Sequence, residues 1–391
     1  MHKTIMVFVA VSITAYGMSY TQLKKATLKH AKVLQSQALN VQKTQEKNAL
    51  SLRTANPTLD LEVSSFGNPY SDKSYGFAIG ASQTIRTNSY LEALKHQAKA
   101  QTLLAQAYQV EGKARYLQTL ELLYSEYAYK SAMLSILKKE LSLSDEITRI
   151  SKGRYLDGSE AKVRYLEAKT RALKLKSTLH TSKREIRTLH YQLLTMAGLT
   201  RNVPLAPRFI YPISKHHKRK TRDHSKSRIL KAKEKLYDAQ TEIAEQSYTS
   251  YNLRAGIEKE PDQSILRVGV SIPLPLRHHN EEEKALNKIK LRQLKLDRAQ
   301  LAEKIDADKK IYRSAIEELS TQYHALKMLL KEEKAIASLR AEGYKIAQSS
   351  LLELVRSRKD VLETKKSMLQ TQKESNYAQI HLRLLQGGYH D

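Results

Sequence analysis

The side chains best suited to chemistry in this chain are its histidines and a few paired carboxylates. His216 and His217 are adjacent, His224 follows, and His278-His279 forms a second pair. Imidazole nitrogens bind transition metals. Lys215, Lys218, Arg219 and Lys220 flank the first pair and repel cations, and no carboxylate adjoins it. No His-x-x-x-His pair occurs either. The expectation is therefore solvated loop histidines, with no metal site and no cofactor. Asp306 and Asp308 read as polar slots on a long helix rather than an acid/base pair. Tyr124, Tyr127 and Tyr129 read as packing residues rather than a stacking platform. Ser159 has no base to activate it. With no Gly-rich phosphate loop and no nucleophile motif, the chain is expected not to be an enzyme.

The elements that hold these residues are more informative. The 391 residues include 13 Gly and 8 Pro, no Cys, no Trp, 4 Phe and 22 Tyr. Absence of cysteine excludes disulfide scaffolds, thiolate metal sites and a Cys nucleophile. Scarce Gly and Pro with abundant Leu, Ala, Lys, Glu and Gln predicts long helices. The formal charge of +27 has two readings. One is a nucleic acid or anionic lipid partner, the other ordinary solvated helix faces.

Met1 to Lys3 carries positive charge, Ile5 to Ile13 is an apolar run, and Ala15-Tyr16-Gly17 offers a cleavage site. The run is shorter than the ~20 residues of a membrane helix, and residues 1–17 read as a secretory signal peptide. Residues 20–54 read as one helix that ends at Asn56-Pro57. The period then drops to two. Leu59, Leu61 and Val63 alternate with Asp60, Glu62 and Ser64, and a second strand over 74–84 follows a turn. A helix from about 88 to 150 carries Leu117, Leu120, Tyr124, Tyr127, Leu134, Leu137 and Leu141 on a seam. Gly153 and Asp157-Gly158 are expected to break it. A return helix ends at Gly198.

A basic linker spans 199–225, and the order then repeats. There is a helix, then strands at 248–257 and 264–273, then a long helix with Leu294, Leu301, Ile305, Tyr312, Leu319, Tyr323 and Leu326 on its seam. A break at Gly343 and a last helix complete it. Tyr155 matches Tyr344, and Gly198 matches Gly387, at an offset of 189. The chain thus divides into structural repeats at 18–198 and 226–391.

Four amphipathic strands cannot close a membrane sheet alone. Three copies would supply twelve, an even number suited to an outer-membrane barrel. The expected fold is mainly α with a small β part, built as a trimeric α-barrel joined to a 12-stranded β-barrel. Tip turns at 153–158 and 343–347 lie at one end of the helical tube.

The order of elements resembles the TolC-type outer-membrane efflux proteins. Tyr20 to Ala26 resembles their opening helix. Ala55-Asn56-Pro57-Thr58-Leu59-Asp60-Leu61-Glu62-Val63 resembles their first strand, especially in the branch serving cobalt–zinc–cadmium export. Val268 to Leu274 resembles the end of the second hairpin. Arg154-Tyr155-Leu156-Asp157-Gly158 and Gly343-Tyr344-Lys345-Ile346-Ala347 resemble their tip turns. The resemblance implies a homotrimer in outer-membrane lipid with its helices in the periplasm. It implies passive export, heavy-metal cations included, and no nucleic acid partner. It implies a periplasmic adaptor protein and an inner-membrane transporter, with the RND type favoured. By the same mapping Tyr155, Arg164, Tyr344, Glu353 and Arg356 line the periplasmic entrance. Arg154, Asp157, Gly158, Gly343 and Ala347 touch the adaptor. Ala347 replaces a customary Gly, and Arg164 and Arg356 stand where acids are common. An Arg–Glu pair closing the entrance, a ring favouring anions, and plain helix-face charge all remain open. The competing reading of the whole chain is a basic coiled-coil scaffold or nucleic-acid-binding protein.

Overall fold

The computed structural model describes residues 17–67, 73–213, 223–276, 279–346 and 348–389. Residues 1–16 of the signal segment expected over 1–17, the histidines His216, His217 and His278, and Ala347 lie outside them. In chain order the elements are α1 (Tyr20–His30), α2 (Lys32–Leu52), β1 (Thr58–Phe66), β2 (Ser74–Arg86), α3 (Asn88–Leu156) and α4 (Lys162–Met196). Then come α5 (Ser225–Ala244), β3 (Ser250–Lys259), β4 (Ser264–Ser271), α6 (Glu281–Lys345) and α7 (Leu351–Leu385). The molecule is mainly helical, with a single antiparallel sheet in the order β1-β2-β3-β4 among the described residues. At 1.5 Å per residue the 69 residues of α3 extend about 100 Å.

Two compact units can be distinguished. One holds Ser36–Glu111 and Ser225–Glu303, and so contains the sheet. Its helices are tied by Asn48, whose Nδ2 donates to the Ala98 carbonyl at 2.7 Å and to Thr102 Oγ1 at 3.0 Å. Arg298 and Glu234 form an ion pair at 2.6 Å.

The other unit holds Met1–Gln35, Gly112–His224 and Lys304–Asp391. Its core packs Leu23, Leu117, Leu120, Tyr124, Leu193, Leu194 and Tyr389. Further along α3, Ile136 and Leu143 pack on Leu362 of α7. Ile316 of α6 packs on Ala378 and Leu382 of α7. The buried seam of α3 thus passes through Ile136 and Leu143, whereas Leu137 and Leu141 are half-exposed.

The helix expected over 20–54 is two helices. Ala31 leaves the helical region at ψ 114°, and its N–H still donates to the Thr27 carbonyl at 3.0 Å. No Gly or Pro marks the break. The bend lies against a distant segment: Gly198 packs on the His30 carbonyl, where a Cβ would not fit. Two expected breaks come late in the turns expected at 153–158 and 343–347. Gly153 and Gly343 stay helical, and α3 and α6 run on to Leu156 and Lys345. A single Gly weakens a helix by only about 1 kcal/mol, too little to end one of this length.

Candidate functional site

The sheet sorts its side chains by face. Register pairs Leu61 with Ile79, Ile79 with Ile257 and Ile257 with Leu266. Leu59, Val63, Phe77, Leu253, Val268 and Val270 share that face by the period of two. All of these are exposed: Leu61 is 70 % and Val268 78 % accessible. Burying such a side chain is worth about 1.5–3 kcal/mol, so this face is built for an apolar environment. The opposite face carries Asp60, Glu62, Arg254, Glu258 and Arg267, with Arg267 paired to Glu258 at 2.6 Å. Gly76, Gly80 and Gly256 lie on the same polar face and keep it shallow. A Cβ on Gly256 would meet the Ile79 carbonyl at 3.0 Å. Tyr75 stands near one end of the apolar face. Tyr251, paired with Ile85, stands near the other. Ten residues of β2 separate the two levels, about 33 Å at 3.3 Å per residue. Among the described residues, strands β1 and β4 each leave one edge unpaired.

The helical unit buries a polar node. Glu121 is fully buried. Its carboxylate accepts from the Tyr20 hydroxyl at 2.7 Å, the Tyr211 hydroxyl at 3.2 Å, the Tyr389 hydroxyl, and Arg383 Nη1 at 2.7 Å. Arg383 Nη1 also donates to Tyr211 Oη at 2.8 Å. Burial, then the charge of Glu121, push the Tyr20 and Tyr389 hydroxyls far above the usual tyrosine range. They are fixed donors. Their hydrogen bonds and the paired guanidinium offset the desolvation of the carboxylate. Nothing in the sequence marks Glu121, because its partners come from distant segments.

The tips were expected to hold the functional residues. Helix α3 ends in a Schellman motif. Ser159 N–H donates to the Arg154 carbonyl at 2.9 Å and Gly158 N–H to the Tyr155 carbonyl at 3.1 Å, with Gly158 at φ 75°. Tyr155 stacks on Tyr165 of α4, with centroids 6.1 Å apart and planes 4° apart. Asp157 and Arg164 are exposed.

The second tip uses other means. The Ser350 hydroxyl accepts from Glu353 N–H at 3.2 Å, and the Glu353 carboxylate accepts from Ser350 N–H at 2.9 Å, a reciprocal cap for α7. Arg340 adds an ion pair to Glu353 at 3.2 Å. The Ser350 backbone bond, the Ser350 side chain and Arg340 together hold the Glu353 carboxyl below the usual range. The arginine beside Glu353 is thus Arg340 of α6. Arg356 is exposed, as is Tyr344. The geometry unites Tyr155 with Tyr165 and Glu353 with Arg340. Among the described residues it joins neither Arg164 nor Arg356 to Glu353.

Other candidate chemistry is dispersed. Asp306 pairs with Lys310 at 2.8 Å rather than with Asp308. Tyr124 and Tyr127 are core residues. His224 is buried and His279 exposed. Among the described residues no three His, Asp or Glu gather where a metal could sit, and no helix is long and apolar enough to cross a membrane.

No known family pattern matches the sequence, and no curated protein matches it. The structure is similar to several solved ones. The outer membrane protein VceC from Vibrio cholerae aligns with a TM-score of 0.74 and 13% identity, over 94% of this chain and 95% of that one. The Campylobacter jejuni CmeC outer membrane channel aligns at 0.75 and 12%, over 94% and 85%. CusC, whose transmembrane channel formation has been described, aligns at 0.74 and 15%, over 93% and 91%. The agreement spans the described helices and the sheet alike, and the chain has the TolC-like fold of these channels.

Proposed function

We propose that three copies of this chain form a passive duct through an outer membrane, the exit of a tripartite efflux system. The observation that carries the reading is the sheet, with an exposed apolar face, a charged opposite face and two open edges. An open edge in hydrocarbon leaves backbone groups unsatisfied. Four strands per copy close as twelve in a trimer, apolar side to lipid and Arg267–Glu258 to the lumen. Tyr75 and Tyr251 then serve as the two aromatic girdles. The likeness to VceC, CmeC and CusC supports a channel and argues against an enzyme.

In this reading residues 1–17 direct export, and 18–198 and 226–391 are the two repeats joined by 199–225. The helical part stands in the periplasm. Its tips, with Arg154, Asp157, Gly158, Gly343 and Ala347, meet an adaptor that links the duct to an inner-membrane pump of the RND type. Tyr155, Arg164, Tyr344, Glu353 and Arg356 line the entrance. Heavy-metal cations are the cargo suggested by Ala55 to Val63. The engagement of Glu353 by Arg340, with Arg164 and Arg356 exposed, leaves that entrance net positive and weighs against free cations.

Cell fractionation, with the protein run unheated and heated on a gel, tests the reading. Outer-membrane recovery as a heat-labile trimer is expected. A soluble, nucleic-acid-associated protein would overturn it in favour of the basic coiled-coil reading.

A further inference from the structure

The helical unit leaves two helix edges unpartnered, and their charges are opposite. Contacts fix the neighbours of each long helix. Helix α4 meets α3 through Lys130–Glu185 at 2.9 Å and Tyr155–Tyr165. Helix α3 meets α7 through Glu126–Lys373 at 2.7 Å, Glu140–Lys366 at 2.7 Å and Glu146–Arg358 at 3.1 Å. Helix α7 meets α6 through Tyr312–His381 and Arg340–Glu353. No bond, ion pair or ring contact joins α4 to α6 among the described residues. The order α4-α3-α7-α6 therefore ends in α4 on one side and α6 on the other.

The seam of α4 toward its own chain runs through Tyr165, Ala172, Leu179 and Ile186, a heptad spacing. Flanking it on one side lie Lys162, Leu166, Lys169, Leu173, Lys176 and Lys183, continuing to His180 and Arg187. Every charge there is positive. These residues are exposed, Leu173 at 57 %. The seam of α6 runs through Ile305, Tyr312, Ile316, Leu319 and Tyr323. One flank of it carries Ile311, Glu318, Leu329, Glu332, Ile336 and Leu339, with Asp308 at its start. From Asp308 onward every charge there is negative, Lys304 one turn earlier being positive, and Leu339 is 67 % exposed. Neither flank has an ion pair within the chain among the described residues.

We infer that these flanks are one interface, α4 of one copy against α6 of the next. This rests on the proposed trimer and specifies which surfaces close it. The same scheme already operates inside the chain: acids on α3 face bases on α7, the two helices antiparallel. Carried across by the 189-residue repeat offset, the α3–α7 register sets Glu318 against Lys183 and Arg187, and Glu332 against Lys169 and Leu173. Leu339 then meets Leu166. A face that matches a different face of its copy generates a ring or a filament. An acidic flank cannot dock on another acidic flank, so head-to-head pairing is disfavoured.

The chain has no cysteine, so cross-linking is free of background. The full chain carrying Leu173→Cys and Glu332→Cys, purified in detergent and treated with a short bismaleimide, should give a covalent ladder ending at three copies. Either single variant should give none. A trimer by mass that does not cross-link would overturn the interface while leaving the duct intact. A monomer by mass would overturn the interface and the duct together. A second test reads charge. E318K/E332K should raise the monomer fraction at least tenfold. Adding K169E/K183E should restore the trimer. An unchanged monomer fraction in E318K/E332K, or a swap that fails to restore assembly, would refute the pairing.

Discussion

The sheet and the Glu121 node invert one another. The sheet turns Leu61, Ile257 and Val268 outward and keeps its charges on the other face. The node turns a carboxylate inward and surrounds it with three hydroxyls and a guanidinium. In the proposed trimer, lipid and a neighbouring strand edge complete the first. The second is complete within one chain. The sequence of the sheet therefore reports on its surroundings, and that of the node on its own fold.

The largest expected effect lies in the node. Glu121→Ala strands Arg383 and three tyrosines, and should cost about 3–5 kcal/mol, read as a lowered urea midpoint of the purified protein. Glu121→Gln should cost clearly less. Equal losses for both would mean that the charge of Glu121, rather than its acceptor geometry, holds the node.

The sheet comes next. Val268→Arg should cost about 2–4 kcal/mol of membrane assembly, read as less heat-labile trimer in the outer membrane. Glu62→Arg on the opposite face should leave it unchanged. A similar loss for both would break the distinction between the two faces.

The tips are the smallest. Gly158→Ala should cost about 1–2 kcal/mol, from φ 75° alone, since no atom lies within 4 Å of its Cβ site. Ser350→Ala should cost about 1 kcal/mol through loss of the α7 cap. Because the Glu353 carboxyl is held below its unfolded value, its contribution is present above the usual carboxylate range. It is lost as pH falls through the folded value. The protection factor of the Leu354 amide, whose N–H donates to the Ser350 carbonyl, should therefore fall in acid in the parent protein, once exchange is corrected for its intrinsic pH dependence. In Glu353→Gln that dependence should be much weaker.

What could be read in advance divides along the same line. The faces of β1 to β4 follow from a period of two, which any strand must obey, and Leu61, Ile257 and Val268 stand where that period puts them. The α6 seam at Tyr312, Leu319 and Tyr323 follows equally from its heptads. The bend at Ala31 carries no Gly or Pro, and the segment packed against it, at Gly198, lies far along the chain. Gly153 and Gly343 keep helical backbone, and the turn after α3 falls instead at Gly158, where φ is positive. Glu121 gave no signal, being one glutamate among many on an amphipathic helix. At the second tip, Ser350 and Glu353 carry the capping spacing in plain view, and their cooperation with Arg340 needed the fold.

One consequence of the node concerns the order of events in folding. Tyr20 and Tyr389 reach the same carboxylate from nearly opposite ends of the chain. Contacts of such long sequence separation form late. As the chain folds, Glu121 stays hydrated until Arg383 and Tyr389 reach it. Completion of the helical core thus waits for the segment that carries Arg383 and Tyr389, so a chain shortened before it keeps this core open to degradation.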